Sequence, residues 1–591
     1  MQPLHFSQTL RRRLRRVALA QEPAEIVIQN ARVVNVFTGE ILPDQSVAIA
    51  AGRIARVDSD VSDTVGAITE MIDADGQTLV PGFIDTHCHL LSTRYSVPEF
   101  LKYAVPGGTT LIVTETIEFG SLFGLAGIRA SLDALANQPI KLLATIPALA
   151  ALQPYMEAMA PSLDEYRTLL LRPDVVGLGE TYWGNLLRDD ARLSAIIEAA
   201  LDAGKTVEGH SAGARGAKLQ AYACEGISSC HEPITAEEGL ARLRLGLHFM
   251  IRDGEIRQDL EAIAPLWKQP VDHRRMILVT DSVGAERLME HGYLEHNVQR
   301  AIGLGLDPVK AIQMVTINPA EHFALDQHVG SIAPGRCADM VLLPTVREIK
   351  PSWVMSDGRV VARAGTLTSP ARPSELPAQF RNSIRLHRRY RASDFSVPLT
   401  DDSTREARVI DYVTGLVTQE GVATVRSEHG VAIPQEAGLC IVACIDRARG
   451  AGEHFVGWAR GFGLRTGALA TTWSWDSASI IAIGANPGDM ALAVQRVAEV
   501  GGAVVVANGE VRAEVPAPIG GIISEAPMES LVAQLRRLKT CLHDLGCPWP
   551  DPLLAADVLT TAAIPHFRIT DRGYVRVRDG ALVQLWVDES P

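Results

Sequence analysis

Eight short apolar runs, at 79–85, 110–113, 142–146, 175–179, 206–208, 227–230, 247–251 and 276–280, are separated by stretches of helical composition. Such alternation calls for parallel strands, because parallel neighbours must be joined by long crossovers, usually helices. Eight repeats within 81–329 fit a closed (β/α)8 barrel, which takes about 250 residues. A doubly wound open sheet shows the same alternation, so the pattern alone leaves both arrangements open. In either case the fold class is α/β.

The flanks have a different texture. Residues 25–80 read as short strands punctuated by Gly39, Gly52 and Gly76, and 330–370 repeat that character. Together they are expected to form one small composite β-sandwich, built from both sides of the barrel sequence. Residues 1–24 hold the basic run Arg11-Arg12-Arg13-Leu14-Arg15-Arg16 and are expected to be a helix lying on the protein. The apolar stretch after these charges is too short for a secretory signal. Residues 371–409, rich in Pro, Ser and Arg, read as a connector, and 410–591 as a second, C-terminal α/β domain.

Composition narrows the function. The 591 residues exceed one compact domain, and the net charge of −13 argues against a whole-chain attraction to nucleic acid or anionic membrane. No uninterrupted apolar stretch is long enough to span a bilayer. Eight cysteines without a C-x-x-C pair make neither a disulfide framework nor a zinc ribbon. A cytoplasmic enzyme is expected.

Residues able to bind a metal stand at the C-terminal ends of the apolar runs. His87 and His89 follow the first run; Glu180, His210, His231 and Asp281 end the fourth, fifth, sixth and eighth. Strand side chains alternate with period two, so His-x-His places both imidazoles on one side. In a barrel these ends form the active-site mouth. Four imidazoles and two carboxylates suit two divalent ions such as Mn, Fe or Zn, and such ions make a water molecule nucleophilic at neutral pH.

Other assignments compete. Gly209-His210-Ser211-Ala212-Gly213 matches a G-x-S-x-G nucleophile elbow, with Asp281 and His322 following Ser211 in the order a serine hydrolase requires. It lacks an upstream oxyanion motif and leaves His87, His89, Glu180 and His231 unexplained. Two further alternatives are the same metal site acting on another aminopurine or a cyclic amide, and a non-catalytic relic on a hydrolase scaffold. Gly204-Lys205-Thr206 resembles the end of a phosphate loop, but Ala199 stands where the first glycine belongs. Arg215, Glu232, Glu118 and Trp475 are candidates for substrate contact. For Arg215 and Glu232 an ion pair is an equal alternative, and Trp473-x-Trp475 also reads as a packing pair. His248 reads as a core histidine that could line the mouth.

The chain resembles the adenine deaminase family of the amidohydrolase superfamily. The resemblance is carried by Asn35-Val36-Phe37-Thr38-Gly39-Glu40, the His-x-His strand, Gly179-Glu180, Glu208-Gly209-His210, His231-Glu232, Thr280-Asp281 and the run from Val315 to Glu321. It implies a binuclear-metal hydrolase that removes the 6-amino group of adenine, giving hypoxanthine and ammonia. His87 and His89 would bind one ion and His210 and His231 the other. Glu180 would bridge them, and Asp281 would be both ligand and proton carrier. The implied partners are a small heterocycle and water, in a homo-oligomer.

Three departures accompany the resemblance. Leu91 stands where the family carries a glutamate, Glu115-Thr116-Ile117-Glu118 where it carries Asp-Pro-His-Glu, and Trp475-Asp476-Ser477-Ala478-Ser479 where it carries His-Asp-Ser-His-Asn. They imply an altered substrate pocket or a missing accessory metal site.

Overall fold

A computed structural model describes residues 6–148, 159–373, 376–400, 403–448, 452–475, 477–561, 564 and 566–588. The apolar runs form eight parallel strands: β1 Phe83–Cys88, β2 Thr109–Thr114, β3 Lys141–Ile146, β4 Val175–Tyr182, β5 Thr206–His210, β6 Ser229–Cys230, β7 His248–Arg252 and β8 Met276–Val279. β1 to β5 pair in sequence, as do β6 to β8. Two seams close the ring. At one, the Ser228 N–H donates to the Val207 carbonyl at 2.9 Å; at the other, the Asp281 N–H donates to the His87 carbonyl at 2.9 Å. Closure selects the barrel over the open sheet.

Nearly every barrel-strand residue is buried, as expected when helices cover one face and a packed interior the other. Ile84, Leu111, Val113, Leu143, Val176, Met250 and Ile277 belong to one buried apolar cluster. The barrel is therefore a filled core with its chemistry confined to the ends.

The first run divides where the sequence suggested one strand. Thr78–Pro81 pairs antiparallel with Met340–Leu343 in the flanking sheet, and the barrel strand begins at Phe83. Gly82 makes the crossing possible. A Cβ there would lie 2.1 Å from the Thr110 hydroxyl oxygen, so no side chain fits. The fourth strand also runs two residues past Glu180, to Tyr182.

The flanking β structure is one nine-stranded sheet whose strands come from 26–81 and 340–367. Helix Gln8–Ala18, capped by the Ser7 hydroxyl, buries Leu14 and Val17. Its Arg13 pairs with Glu25 at 2.5 Å. Among the described residues no helix is long and apolar enough to cross a membrane.

The C-terminal region is built on a second nine-stranded sheet, with helices Pro487–Val500 and Met528–Asp544 packed against it. Its first strand, Thr404–Tyr412, starts inside the stretch read as connector. The strand opens on Thr-Arg-Glu with little apolar content, so a search for apolar runs passes over it. Helix Met528–Asp544 lies beside the barrel helix Ala285–His291, where Lys539 pairs with Glu286 and Arg536 with Glu290. These contacts bring the C-terminal region to the mouth of the barrel.

Candidate metal centre and substrate pocket

The candidate ligands are placed by the same contacts that close the barrel. Asp85, buried in β1, accepts the His87 N–H at 3.2 Å and the Thr280 hydroxyl at 2.6 Å, tying β1 to the end of β8. Asp281 follows Thr280 with φ +64°, a conformation that costs about 1–3 kcal/mol in an ordinary residue. Two backbone bonds hold it there: its N–H to the His87 carbonyl, and the His89 N–H to its own carbonyl at 2.7 Å. Aspartate and asparagine tolerate this conformation better than most residues.

Glu180 Oε1 is the hub. It lies 3.0 Å from His231 Nε2, 3.1 Å from His210 Nδ1, 3.6 Å from His87 Nε2 and 3.7 Å from His89 Nε2. Asp281 Oδ1 faces the first pair, at 3.7 Å from His87 Nε2 and 3.6 Å from His89 Nε2. Ligands bonded at ~2.1 Å around a tetrahedral ion stand about 3.4 Å apart, close to these spacings. Three overlapping donor sets result: His87, His89 and Asp281; His87, Glu180 and His231; and His210, His231 and Glu232. His87 Nε2 and His210 Nε2 are buried without a hydrogen-bond partner. Orphaned nitrogens inside a ring of carboxylates are what divalent ions would satisfy, so the residues fit the metal that the sequence implied.

All six sequence-derived candidate ligands therefore meet at one place. Glu232 joins them, 3.2 Å from His231 Nε2 and 3.7 Å from His210 Nε2. The sequence reads it as a substrate contact or an ion-pair partner and not as a ligand, because it follows the strand end by one residue.

Charge in the centre is balanced residue by residue. Burial opposes ionisation of Glu180, but His210, His231 and His89 hold its carboxyl well below the usual range. Burial and the neighbouring His231 drive His87 well below the ordinary imidazole value. Glu118 Oε1 meets His89 Nδ1 at 2.8 Å, which turns Nε2 toward Glu180 and Asp281. Its other oxygen is unpartnered beside the pocket. Burial next to Glu180 pushes the Glu115 carboxyl up to about 8. The absence of a side chain at Gly179 makes room for it, since a Cβ there would lie 2.1 Å from Glu115 Oε2.

Arg252 was missed from sequence. It ends β7 and reaches Glu232 at 2.5 Å, Asp259 at 3.3 Å and Asp281 Oδ2 at 3.4 Å. A search restricted to metal-ligand types skips this strand end, although its position matches the others. Burial opposes ionisation of Glu232, but Arg252 together with His210 and His231 keeps its carboxyl well below the usual range.

Above the ligands lies a cavity of about 350 Å³, a size common for small-molecule sites. Its barrel wall includes Ile117, Glu118 and Tyr182; its roof is Leu416, Val417, Trp475, Ile564 and His566 from the C-terminal region. Fully buried Arg568 ties roof segments together, donating to the Leu416 carbonyl at 2.9 Å, the Ile564 carbonyl at 2.9 Å and the Thr418 hydroxyl at 3.1 Å. Of these roof residues the sequence marks only Trp475; Leu416, Val417, Ile564 and His566 carry no such signal, because they meet the site only through tertiary packing.

The remaining candidates separate cleanly. Trp475 lines the pocket, while Trp473 is buried and donates its indole N–H to the Ile522 carbonyl at 3.0 Å. Arg215 sits at the exposed rim, paired with Glu238 at 2.6 Å. Ser211 Oγ meets Cys230 Sγ at 2.9 Å and Arg242 at 3.2 Å, whereas His322 is bonded to Glu208 at 2.9 Å. That geometry does not build a serine triad. His248 begins its strand instead of ending it and packs at a tilt against His322 with ring centres 4.3 Å apart; burial drives it down to about 3. It belongs to the interior, away from the mouth.

The departures divide as well. Ile117 and Trp475 face the pocket, but Leu91 and Ala478 are buried in the core, and Asp476 lies outside the described residues. Leu91→Glu is accordingly expected to destabilise the fold by about 3 kcal/mol or more, since it would bury an unpaired carboxyl among apolar side chains. Denaturant unfolding measures this; an unchanged midpoint would mean the site has room and polar partners that the packing does not provide.

Residues 78–361 match the amidohydrolase family, and residues 415–581 match the adenine deaminase C-terminal domain. An adenine deaminase of Moorella thermoacetica is 38% identical over 583 residues, covering 97% of this chain and 98% of that protein. One from Clostridium botulinum is 34% identical over 582 residues, covering 97% of each chain. Adenine deaminase 3 of Rhizobium meliloti is 33% identical over 574 residues, covering 96% of each.

Proposed function

The chain belongs to the adenine deaminase family of amidohydrolases, and on that footing we propose that it hydrolyses adenine to hypoxanthine and ammonia in the cavity above Glu180. The single observation that carries the reading is Glu180 Oε1 at 3.0–3.7 Å from four imidazoles, a central carboxylate placed to serve two ions. His87, His89 and Asp281 would hold one divalent ion and His210 and His231 the other, with Mn, Fe or Zn as candidates. When bound, such ions supply the Lewis acidity that lets water attack at neutral pH.

The chain's own residues supply the rest. Asp281 takes the proton of the attacking water and passes it to the amine, which then leaves as neutral ammonia. Arg252 holds Asp281 and Glu232 in place through one guanidinium nitrogen, Nη1, which reaches both carboxylates. Glu118 lines the pocket, where its carboxyl would accept a hydrogen bond from a ring N–H, and Trp475 offers a flat apolar surface from above.

Purified protein loaded with Mn, Fe or Zn is expected to release ammonia from adenine, and a chelator to abolish that release until metal is returned. Metal analysis is expected to give about two ions per chain, because six donors exceed one tetrahedral set. A panel of adenine, other aminopurines and cyclic amides tests the substrate. Full activity in metal-free protein would sink the mechanism, and no turnover of adenine by the loaded enzyme would sink the substrate assignment.

A further inference from the structure

Behind the pocket roof, Arg94 joins the barrel to the C-terminal region. It lies in the loop after β1, five residues beyond His89, with φ +74°. A non-glycine residue rarely adopts this conformation unless its surroundings hold it there. Three contacts do so. The Arg94 guanidinium donates to the Asp557 carboxylate, lies over the Trp473 ring at 4.4 Å, and the Arg94 carbonyl accepts the Ser524 N–H at 2.8 Å.

Asp557 in turn holds the residue that roofs the pocket. Its carbonyl accepts the Trp475 N–H at 3.1 Å, and Thr560, three residues on, donates its hydroxyl to the Trp475 carbonyl at 2.8 Å. Arg94 itself does not line the main cavity. It borders two small cavities of about 40 Å³ each, and Trp475 borders both as well, so there is space for the indole to move if the tie is cut.

We propose that Arg94 is a positioning residue for substrate: by clamping Asp557 it fixes the height of Trp475 above the metal ligands and so sets how tightly a flat heterocycle is held. This rests on the cavity being the substrate site of the reaction proposed above. Burial pushes the Asp557 carboxyl up to about 7 against the pull of Arg94. Removing the guanidinium therefore leaves a neutral acid, and the fold is expected to survive the substitution.

The test compares metal-loaded, full-length wild type with Arg94→Met, Arg94→Lys and Asp557→Asn. Arg94→Met is expected to raise KM for adenine by about tenfold or more, because a displaced Trp475 loses much of its stacking on the base. Turnover at saturation and bound metal are expected to stay near wild type. Arg94→Lys restores part of the loss, since an ammonium keeps one bond to Asp557 but not the planar stack. Arg94→Met and Asp557→Asn combined should cost less than the sum of their separate effects. Acrylamide quenching of Trp475, taken as wild type minus Trp475→Phe, should increase in Arg94→Met.

An unchanged KM in an active enzyme overturns the proposal. So does a joint fall of kcat, metal content and melting temperature that lysine fails to rescue, because that pattern marks a purely structural role. If loaded wild type turns over no adenine, the functional assignment fails on its own. Quenching then decides the role of Arg94, and an unaltered Trp475 signal overturns it.

Discussion

Asp281→Asn is expected to keep the fold and most of the bound metal while lowering kcat for adenine by about 10²–10⁴-fold, the usual worth of general acid–base transfer. The backbone argument comes first. Asp281 sits at φ +64° and exchanges two backbone hydrogen bonds with the β1 end, and asparagine is among the few residues that accept such a conformation readily. The seam of the barrel should therefore stay closed. The amide can still offer one oxygen toward His87 and His89, where Oδ1 now stands at 3.7 and 3.6 Å. It cannot accept a proton from water and return it to an amine. Steady-state ammonia release with metal analysis of the same preparation separates the two effects. Near-normal kcat would make Asp281 a spectator ligand and shift the proton-carrying role toward Glu232, its neighbour across Arg252.

The balance between what the chain discloses locally and what only packing discloses is visible in these same residues. A parallel strand ending in His-x-His, or in Gly-Glu, declares its conformation and offers metal-binding side chains, so the convergence of His87, His89, Glu180, His210, His231 and Asp281 is legible at once. Barrel closure was not, because an open doubly wound sheet needs the same alternation; two backbone seams decide it. Arg252 occupies the same kind of strand end and was passed over only because arginine does not bind metal. The roof is a different matter. Leu416, Trp475 and His566 reach the cavity because Arg568 and Arg94 gather segments far apart in sequence. Periodicity carries no trace of such contacts. The departures from the family pattern show the converse: Leu91, which by that pattern marks an altered pocket or a missing accessory metal site, is buried in the apolar core.

Glu180→Gln is expected to be the most damaging single change at the centre, costing well over about 100-fold in metal affinity, more than the 10–100-fold typical of residues that merely support ligands. One oxygen of Glu180 is within reach of all four imidazoles, and two of those rings, His87 and His231, stack with centres only 4.0 Å apart. Bringing cations into that space needs a negative charge at its middle. Glutamine keeps the volume but removes the charge, and its NH2 group points a donor where an ion needs a lone pair. Asp281 and Glu232 stand on opposite flanks, so neither can replace a shared central oxygen. Loss of metal and loss of turnover should then track each other, unlike Asp281→Asn, in which metal outlasts the chemistry. Titrating Mn or Zn into the metal-free variant while following ammonia release distinguishes the cases. If Glu180→Gln bound two ions with wild-type affinity, the central carboxylate would not be the bridge, and the assignment of ligands to two ions would have to be rebuilt around His87 and Glu232.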